Sequence, residues 1–209
     1  MKNDQLIYIK ANLAEYNRFL QRKTPAQIIR FVLSFAERPV LTSNFGPNSA
    51  SLIHAVSTQR PGIPLVWCDT GFNTPDTIAY AEKLDSLLPF ALHRCDPAPH
   101  GFGENIPNEE DEDFLDFVQA VKLKPFKKAL NKHKPDVWFT NIRKGQTAYR
   151  DSLDILSINK EGLLKVSPFY NYSDLKIQAY LRDHNLPNEF NYYDPTKPKS
   201  NSECGIQLA

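Results

Sequence analysis

The length, composition and charge of the chain exclude several classes of protein. It has 209 residues, of which 41% are hydrophobic, and its formal net charge at pH 7 is +1. These values predict a soluble globular protein with one substantial core, and they give no indication of a nucleic-acid or membrane partner. Because no apolar stretch reaches membrane-spanning length and the N-terminus lacks a signal-peptide pattern, we expect the protein to be cytoplasmic.

Helical and strand patterns alternate along the chain. The segment up to about residue 22 and the run AQIIRFVLSFAE predict helices, and PVLTS at residues 39–43 predicts the first strand. There follow a helix from Pro47, the strand IPLVWCD, the helix TPDTIAYAEKLDSLL, the strand FALHR, an acidic stretch that we interpret as irregular, the helix PFKKALNKH, the strand DVWFTNI, a hairpin of LDILSIN with LLKVSPF, and the helix SDLKIQAYLRDH. This order predicts an α/β fold with a Rossmann-like, doubly wound, mostly parallel sheet behind N-terminal helices.

In such a sheet, ligands bind beyond the carboxyl ends of the strands. The first strand ends in TSNFG, residues 42–46, which supplies hydroxyls, an amide and a permissive glycine directly before a helix. The N–H groups at a helix start favour an anion, so this stretch is a candidate phosphate loop. The alternative is an ordinary turn capped by Asn and Ser, and the pattern is not a Walker loop.

Two further strand ends carry unusual polar residues. Asp69, Thr70 and Gly71 follow the second strand, where doubly wound folds often bind a nucleoside, although Asp69 could simply cap the turn. The later stretch NIRKGQTAYR brings together Arg143 and Arg150. Guanidinium groups match phosphate and sulfate geometry, so this stretch indicates a polyanionic ligand, with a solvated basic loop as the alternative.

The three cysteines, Cys68, Cys95 and Cys204, form no CxxC pair and no Cys/His cluster. We therefore expect no disulfide framework, no metal site and no iron–sulfur cluster. Cys68 and Cys95 lie in apolar strand patterns, whereas Cys204 follows the polar segment DPTKPKSN and is predicted to lie on a mobile C-terminal tail. A thiol in that position is either idle or a nucleophile.

Taken together, these motifs resemble the phosphoadenylyl-sulfate (PAPS) reductases, within the adenine-nucleotide alpha-hydrolase-like superfamily. The matching stretches are TSNFG, DTGFNTPDT, KLKP, IRKGQTAYR and ECGI, which follow the family's order between about Pro39 and Gly205. We divide the chain accordingly into N-terminal helices (1–37), a nucleotide-binding α/β domain (38–190) and a C-terminal tail (191–209).

The resemblance also implies roles for individual residues. It implies that the nucleotide loop contains Ser43, Phe45 and Gly46, and that the same crevice is lined by Asp69, Thr70 and Gly71. The groups that it implies for binding the phosphosulfate are Lys122, Arg143 and Arg150, with Gln146 from the arginine-containing loop. The catalytic nucleophile that it implies is Cys204.

The reaction implied by the resemblance is reduction of PAPS to sulfite and adenosine 3′,5′-bisphosphate. A thiolate is the strongest side-chain nucleophile near neutral pH, and Cys204 would accept the sulfonyl group as an S-sulfocysteine. The tail contains no second cysteine. Release of sulfite therefore requires an external dithiol, which the resemblance identifies as thioredoxin or glutaredoxin. A homodimer is left open.

Several positions depart from the family pattern. Asn44 replaces a serine of the first loop, Gln207 replaces the terminal histidine, and the segment 192–202 is short, with Lys197 and Lys199 as its basic residues. These departures leave open a paralogue that binds an adenine nucleotide without redox turnover. A second alternative, an ATP pyrophosphatase or sulfurtransferase of the same superfamily, would need a Ser-Gly-Gly-x-Asp-Ser loop that the chain lacks.

Overall fold

A computed structural model describes residues 2–97, 101–103 and 105–197. Within these residues the strands form one six-stranded sheet in the order β3-β2-β1-β4-β6-β5. The strands are β1 (Pro39–Thr42), β2 (Ile63–Cys68), β3 (Phe90–Cys95), β4 (Val137–Phe139), β5 (Leu156–Ile158) and β6 (Leu164–Val166). The helices are α1 (Lys2–Ala11), α2 (Leu13–Leu20), α3 (Pro25–Leu33), α4 (Ser49–Ser57), α5 (Pro75–Leu87), α6 (Phe114–Val118), α7 (Lys124–His133), α8 (Ala148–Asp151) and α9 (Asp174–Asp183).

The sheet is parallel except at one edge. β1 pairs in parallel with both β2 and β4, and β6 pairs in parallel with β4. β5 pairs antiparallel with β6, as the predicted hairpin requires. The predicted mostly parallel α/β sheet is therefore confirmed. The chain leaves β1 toward β2 on one side and returns from β3 to β4 on the other, so the strand order reverses between β1 and β4. Ligand crevices in doubly wound sheets lie at such a point.

Alternating residues of the central strands pack into two separate cores. Leu41 and Phe139 belong to the large cluster that also contains the buried faces of α1 to α5 and α9. Val40 and Trp138, their neighbours along the same strands, belong to a second cluster with residues of α7. Helices therefore cover both faces of the sheet, as the near-continuous apolar strands predict.

The N-terminal helices share the large core with the sheet. The segment predicted as one helix is interrupted at Asn12, where α1 ends and α2 begins. The sequence at the start of α3 suits a helix N-terminus: Pro25 is the first helical residue, and Thr24 forms a reciprocal capping box with Gln27. None of the helices in the described parts of the chain is long and apolar enough to cross a membrane.

The interpretation of the acidic stretch as irregular is wrong for its second half. Helix α6 begins at Phe114 and continues through a π-helical turn, Gln119–Leu123, into α7. Phe114, Phe117, Val118 and Val121 form a buried cluster, and their spacing is the i, i+3, i+4, i+7 pattern of an amphipathic helix. The acidic residues before this run concealed that pattern.

Candidate active site at the carboxyl ends of β1 and β4

A cavity of about 300 Å³ lies beyond the carboxyl ends of β1 and β4. This is the point at which the strand order reverses, so the cavity lies where the fold predicts a ligand. Its walls come from the loop after β1, the start of α4, the π-helical turn, the arginine-containing loop after β4 and the beginning of the C-terminal tail. The lining residues are Thr42, Ser43, Asn44, Gly46, Pro47, Asn48, Ser49, Leu52, Val66, Cys68, Lys122, Phe126, Asn141, Ile142, Arg143, Gln146, Arg150, Tyr192 and Lys197.

The structure brings most of the predicted site residues together. Those that line the cavity are Ser43, Gly46, Lys122, Arg143, Gln146 and Arg150. Phe45 lies in the same loop but is fully buried behind the wall, where its ring packs edge-on against Trp67 with 5.0 Å between the ring centroids. The proposed roles of these residues in binding stay predictions.

The loop after β1 is held in an unusual backbone conformation. Phe45 has a φ of 53°, in the left-handed region that bulky side chains rarely adopt. The side chains of Ser43 and Asn44 accept hydrogen bonds from the backbone N–H groups of Phe45 (2.9 Å) and Gly46 (3.2 Å). Burial of the Phe45 ring keeps this strained geometry in place, and strained backbone of this kind is common at binding sites.

Close packing against the tail explains the glycine in this loop. A Cβ atom on Gly46 would lie 3.1 Å from ring carbons of Tyr192, which is closer than ordinary van der Waals contact. The Tyr192 hydroxyl accepts a hydrogen bond of 2.6 Å from the side-chain amide of Asn44. The loop and the beginning of the tail therefore form one continuous wall of the cavity.

The two arginines after β4 approach the cavity differently. Arg143 is buried, and its guanidinium forms an ion pair of 2.7 Å with the exposed Asp174. Arg150 is half-buried, and its guanidinium donates a 2.6 Å hydrogen bond to the Gln146 side chain. The same Gln146 oxygen also accepts from the backbone N–H of Arg143 at 2.9 Å. Gln146 thus fixes the spacing of the two arginines.

Among the buried polar atoms at the cavity, Nε of Arg143 and Oδ1 of Asn141 lack hydrogen-bond partners within the described residues. A buried polar group without a partner is costly, and native proteins rarely keep one unless a ligand or water satisfies it. One atom is a charged donor and the other an acceptor, so together they fit a ligand that carries both an anionic group and an N–H or O–H donor.

Lys122 is buried and is paired with the tail. Its ammonium group donates to the Asp194 carboxylate at 2.5 Å and to the Thr196 hydroxyl at 2.8 Å. Burial alone would raise the pKa of Asp194, but the charge and hydrogen bond of Lys122, the hydrogen bond from Thr196 and the charge of Lys197 lower it to about 2. Asp194 is therefore ionised at neutral pH and anchors the tail to the π-helical turn.

The polar residues after β2 do not line the cavity. The buried Asp69 accepts hydrogen bonds from the backbone N–H of Gly71 (2.9 Å) and the Asn73 side chain (2.6 Å), and it forms an ion pair with Arg94. The Thr70 hydroxyl accepts from the Phe72 backbone N–H at 3.3 Å. These groups organise their own turn, which is the alternative that the sequence left open for Asp69.

The loop after β2 instead leads to α5, which supports the tail. Thr74 caps α5 and donates a 2.7 Å hydrogen bond to the backbone carbonyl of Asn191. The Asn191 side chain in turn donates to the Asp76 carboxylate at 2.7 Å. The Tyr80 hydroxyl, one turn further along, donates to the carbonyl of Pro187 at 3.2 Å. The DTGFNTPDT motif therefore holds the base of the tail.

Some predicted features lie outside the described residues. These are the proposed nucleophile Cys204, Lys199 and the unusual Gln207, together with most of the predicted mobile tail. Within residues 2–97, 101–103 and 105–197, no group of three or more His, Cys, Asp or Glu side chains could hold a metal ion.

Sequence reasoning missed several residues of the cavity wall. Asn48 and Asn141 line it, as does Tyr192. Asn48 adopts a φ of 66°, and the position just before a helix that begins SASL was the available signal. Asn141 lies two residues after the end of β4, so the rule that strand ends carry the ligand could have identified it. Nothing local to Tyr192 indicated its role.

Comparisons with known proteins agree with the family resemblance that the sequence motifs indicate. Residues 38–192 match the family model of the phosphoadenosine phosphosulfate reductase domain. The phosphoadenosine 5′-phosphosulfate reductase of Proteus mirabilis is 31% identical over 184 residues, which cover 84% of this chain and 74% of that protein. The corresponding enzyme of a Synechococcus strain is 28% identical over 84% of this chain and 78% of its own length.

A solved structure has the same fold. The PAPS reductase of Candida auris, in a phosphate complex, superimposes with a TM-score of 0.71 over 84% of this chain and 87% of that one, at 18% identity. Because the family model covers well over half of the chain, the predicted family is confirmed. The chain belongs to the phosphoadenosine phosphosulfate reductase domain family.

Proposed function

We propose that this protein reduces PAPS to sulfite and adenosine 3′,5′-bisphosphate. The observation that carries the proposal is the cavity at the strand-order reversal, where the family's first loop and its two arginines converge. Relatives that are 28% and 31% identical over most of their length are named for this reaction, which supports the same substrate here.

The arginines supply the binding groups for the anionic end of the substrate. Arg150 is half-buried and lines the cavity, and Arg143 lines it too, with a buried Nε that has no hydrogen-bond partner among the described residues. Charge-assisted hydrogen bonds to phosphate or sulfate are about twice as strong as neutral ones. The unpartnered oxygen of Asn141 accepts a hydrogen bond from a donor on the nucleotide. The pair of orphaned atoms therefore matches a ligand with both a polyanionic and a hydrogen-donating part.

We assign Lys122 a double role. Its charge is already balanced by Asp194, so it contributes less net attraction for an anion than the arginines do. Its pairing holds Tyr192 and Lys197 at the cavity wall, because Asp194 lies between them in the chain. Lys122 thus both contributes to substrate binding and holds the tail in position.

The tail delivers the nucleophile. Lys197 lines the cavity, and the chain from there to Cys204 is seven residues long, which spans at most about 25 Å when extended. Cys204 can therefore reach the sulfonyl group of a substrate in the cavity. Its thiolate attacks the sulfur, the S–O bond of the mixed anhydride breaks, and adenosine 3′,5′-bisphosphate leaves. A thioredoxin or glutaredoxin thiol then attacks the Cys204 sulfur and displaces sulfite. We propose that this occurs in the cytoplasm and without an iron–sulfur cluster.

The decisive experiment compares sulfite release from PAPS, adenylyl sulfate and ATP, with reduced thioredoxin present. We expect turnover of PAPS only, no stoichiometric iron, and complete loss of turnover in Cys204→Ser with nucleotide affinity retained. Intact-protein mass spectrometry without a donor should show a sulfonate on Cys204. Equal or faster turnover of adenylyl sulfate would overturn the substrate assignment. Binding of adenosine bisphosphate without an adduct would favour the paralogue that lacks redox turnover.

A further inference from the structure

Cys68 and Cys95, far apart in the sequence, are direct neighbours in the sheet. They are the last residues of β2 and β3 and are register partners in the parallel pairing of these strands. Adjacent strands lie about 4.7–4.9 Å apart, which falls within the usual Cα separation of a disulfide, about 4.4–6.8 Å. Both side chains pack against the cluster that contains Val66 and Trp138, so they emerge on the same face of the sheet.

Each thiol borders a different cavity. Cys68 is half-buried and lines the candidate active site. Cys95 is buried at the floor of a second cavity of about 510 Å³ between β3 and α7. Small solutes can therefore approach the pair from two sides.

The second cavity is lined by basic residues of α7. Lys124, Lys128 and Lys132 follow one another at helical spacing along its wall. The pKa of Cys95 is lowered, and the largest cause is a hydrogen bond with the Cys68 thiol. Burial and the charge of Asp96 raise this pKa, whereas the charges of Lys132 and Lys128 lower it further. Reactive cysteines typically have a lowered pKa, lie near lysines and can be reached by solutes.

We propose that Cys68 and Cys95 form a redox-active dithiol that reduces hydroperoxides and closes into a disulfide. The Cys95 thiolate attacks the peroxide, so an S–O bond forms, the O–O bond breaks, and the leaving oxygen takes a proton to become water or an alcohol. The Cys68 sulfur then attacks the Cys95 sulfenic acid; the S–S bond forms, the S–O bond breaks, and water leaves with the Cys68 proton. Two electrons pass from the two sulfurs to the peroxide. A dithiol reductant restores both thiols by exchange.

This chemistry is independent of the tail nucleophile. Cys204 would act on the substrate's sulfur, whereas the strand-end pair would act on peroxide oxygen. Because Cys68 also lines the candidate active site, the disulfide would form in the wall of the substrate cavity.

The test uses the full-length Cys204→Ser chain, in which only the two strand-end thiols remain. The reduced protein receives one equivalent of hydrogen peroxide, and remaining thiols are alkylated. We expect a loss of 2 Da by intact mass and one cross-linked pair of tryptic peptides, because Lys83 and Arg94 separate the two cysteines. Reduced thioredoxin should reverse the change.

Two controls make the outcome specific. Bridging should be at least about tenfold faster in the native protein than in the same chain unfolded in urea, because the fold holds the thiols in contact. Cys68→Ala should stop at a Cys95 sulfenic acid that dimedone traps. Alkylation of both cysteines after peroxide treatment, or oxidation of Cys95 beyond the sulfenic acid in place of the bridge, would overturn the proposal. Equal rates in native and unfolded chains would do so as well.

Discussion

Two loops at the same edge of the sheet look equally functional in the sequence but differ in the structure. The loop after β1 and the loop after β2 both follow buried strands and both precede helices. Ser43 and Gly46 line the cavity. The Asp69 carboxylate instead accepts hydrogen bonds from Gly71 and Asn73 and forms an ion pair with Arg94. A strand-end position therefore indicates a site only when the polar groups there are still available to a ligand.

The arginine loop after β4 resembles the first case. It leaves a buried Nε of Arg143 without a partner among the described residues, although Gln146 fixes the surrounding geometry. The comparison thus divides the predicted residues into groups that bind and groups that support. Four measurements test this division.

Of the four changes, the loss of a binding arginine should reduce nucleotide affinity most strongly. Arg150→Ala should weaken adenosine 3′,5′-bisphosphate binding by roughly ten- to a hundredfold, because a charge-assisted hydrogen bond contributes about 1.5–3 kcal/mol. Calorimetric titration measures the affinity, and thermal melting should show little change. The control is Lys144→Ala in the same loop, an exposed residue that does not line the cavity. Unchanged affinity together with a large loss of stability would make Arg150 a structural residue.

The next effect concerns the anchor of the tail. The pKa of Asp194, about 2, lies below its ordinary value of 3.8, so ionised Asp194 stabilises the fold above about pH 4, and this contribution disappears as the pH falls toward 2. Asp194→Asn should lower the free energy of unfolding by about 2 kcal/mol at pH 7. The difference from the unmodified protein should shrink between pH 4 and pH 2.5.

Urea unfolding across this pH range measures the effect. Asp183→Asn is the matched control, because Asp183 is exposed and its ion pair with Arg182 lies at the surface. The surface substitution should change stability by less than about 0.5 kcal/mol at every pH. A pH-independent difference for Asp194→Asn would show that its ion pair with Lys122 does not anchor the tail.

A smaller effect tests the supporting loop directly. Asp69→Ala removes two hydrogen bonds and the ion pair with Arg94 at a buried carboxylate, and it should destabilise the protein by about 1–2 kcal/mol. Nucleotide affinity should change less than about twofold, because the Asp69 side chain does not line the cavity. Asp96→Ala, at an exposed partner of the same Arg94, is the control and should alter neither quantity. A tenfold loss of affinity in Asp69→Ala would place the loop after β2 in the site.

The sequence predicted the parts of this architecture that depend on local pattern. The apolar strands and the helices α3 and α5 follow from local pattern, and the sheet follows from the alternation of strands and helices. Whether a polar group is still free to bind a ligand depends on residues that are distant in the sequence. Arg94, which neutralises Asp69, lies on the next strand, and Asp194, which neutralises Lys122, lies in the tail. Only the folded chain shows that these charges are already balanced.

The local conformation at Lys122 could not be predicted from the sequence either. The KLKP match predicted a binding lysine, but not the π-helical turn, Gln119–Leu123, that contains it. Such a turn inserts an extra residue into the helical repeat and is frequent at functional sites. Side-chain periodicity cannot reveal it, because the residues on either side keep ordinary helical spacing.

The smallest expected effect tests the contact between the first loop and the tail. In Gly46→Ala the new Cβ would meet the Tyr192 ring at 3.1 Å, so the ring must shift by a few tenths of an ångström and strain its 2.6 Å bond from Asn44. We expect a loss of stability below about 1 kcal/mol. Chymotryptic cleavage at Tyr192 and Tyr193 should become measurably faster.

The control for this substitution is Gly101→Ala, where a Cβ would meet no atom within 4 Å. Cleavage of the tail should be unchanged in that variant. Equal cleavage rates in Gly46→Ala and the unmodified protein would mean that the glycine serves the ligand alone and that the tail does not depend on the first loop. A faster rate would show that the wall of the cavity and the base of the tail are one structural unit, so that any ligand that orders the loop also positions the segment leading to Cys204.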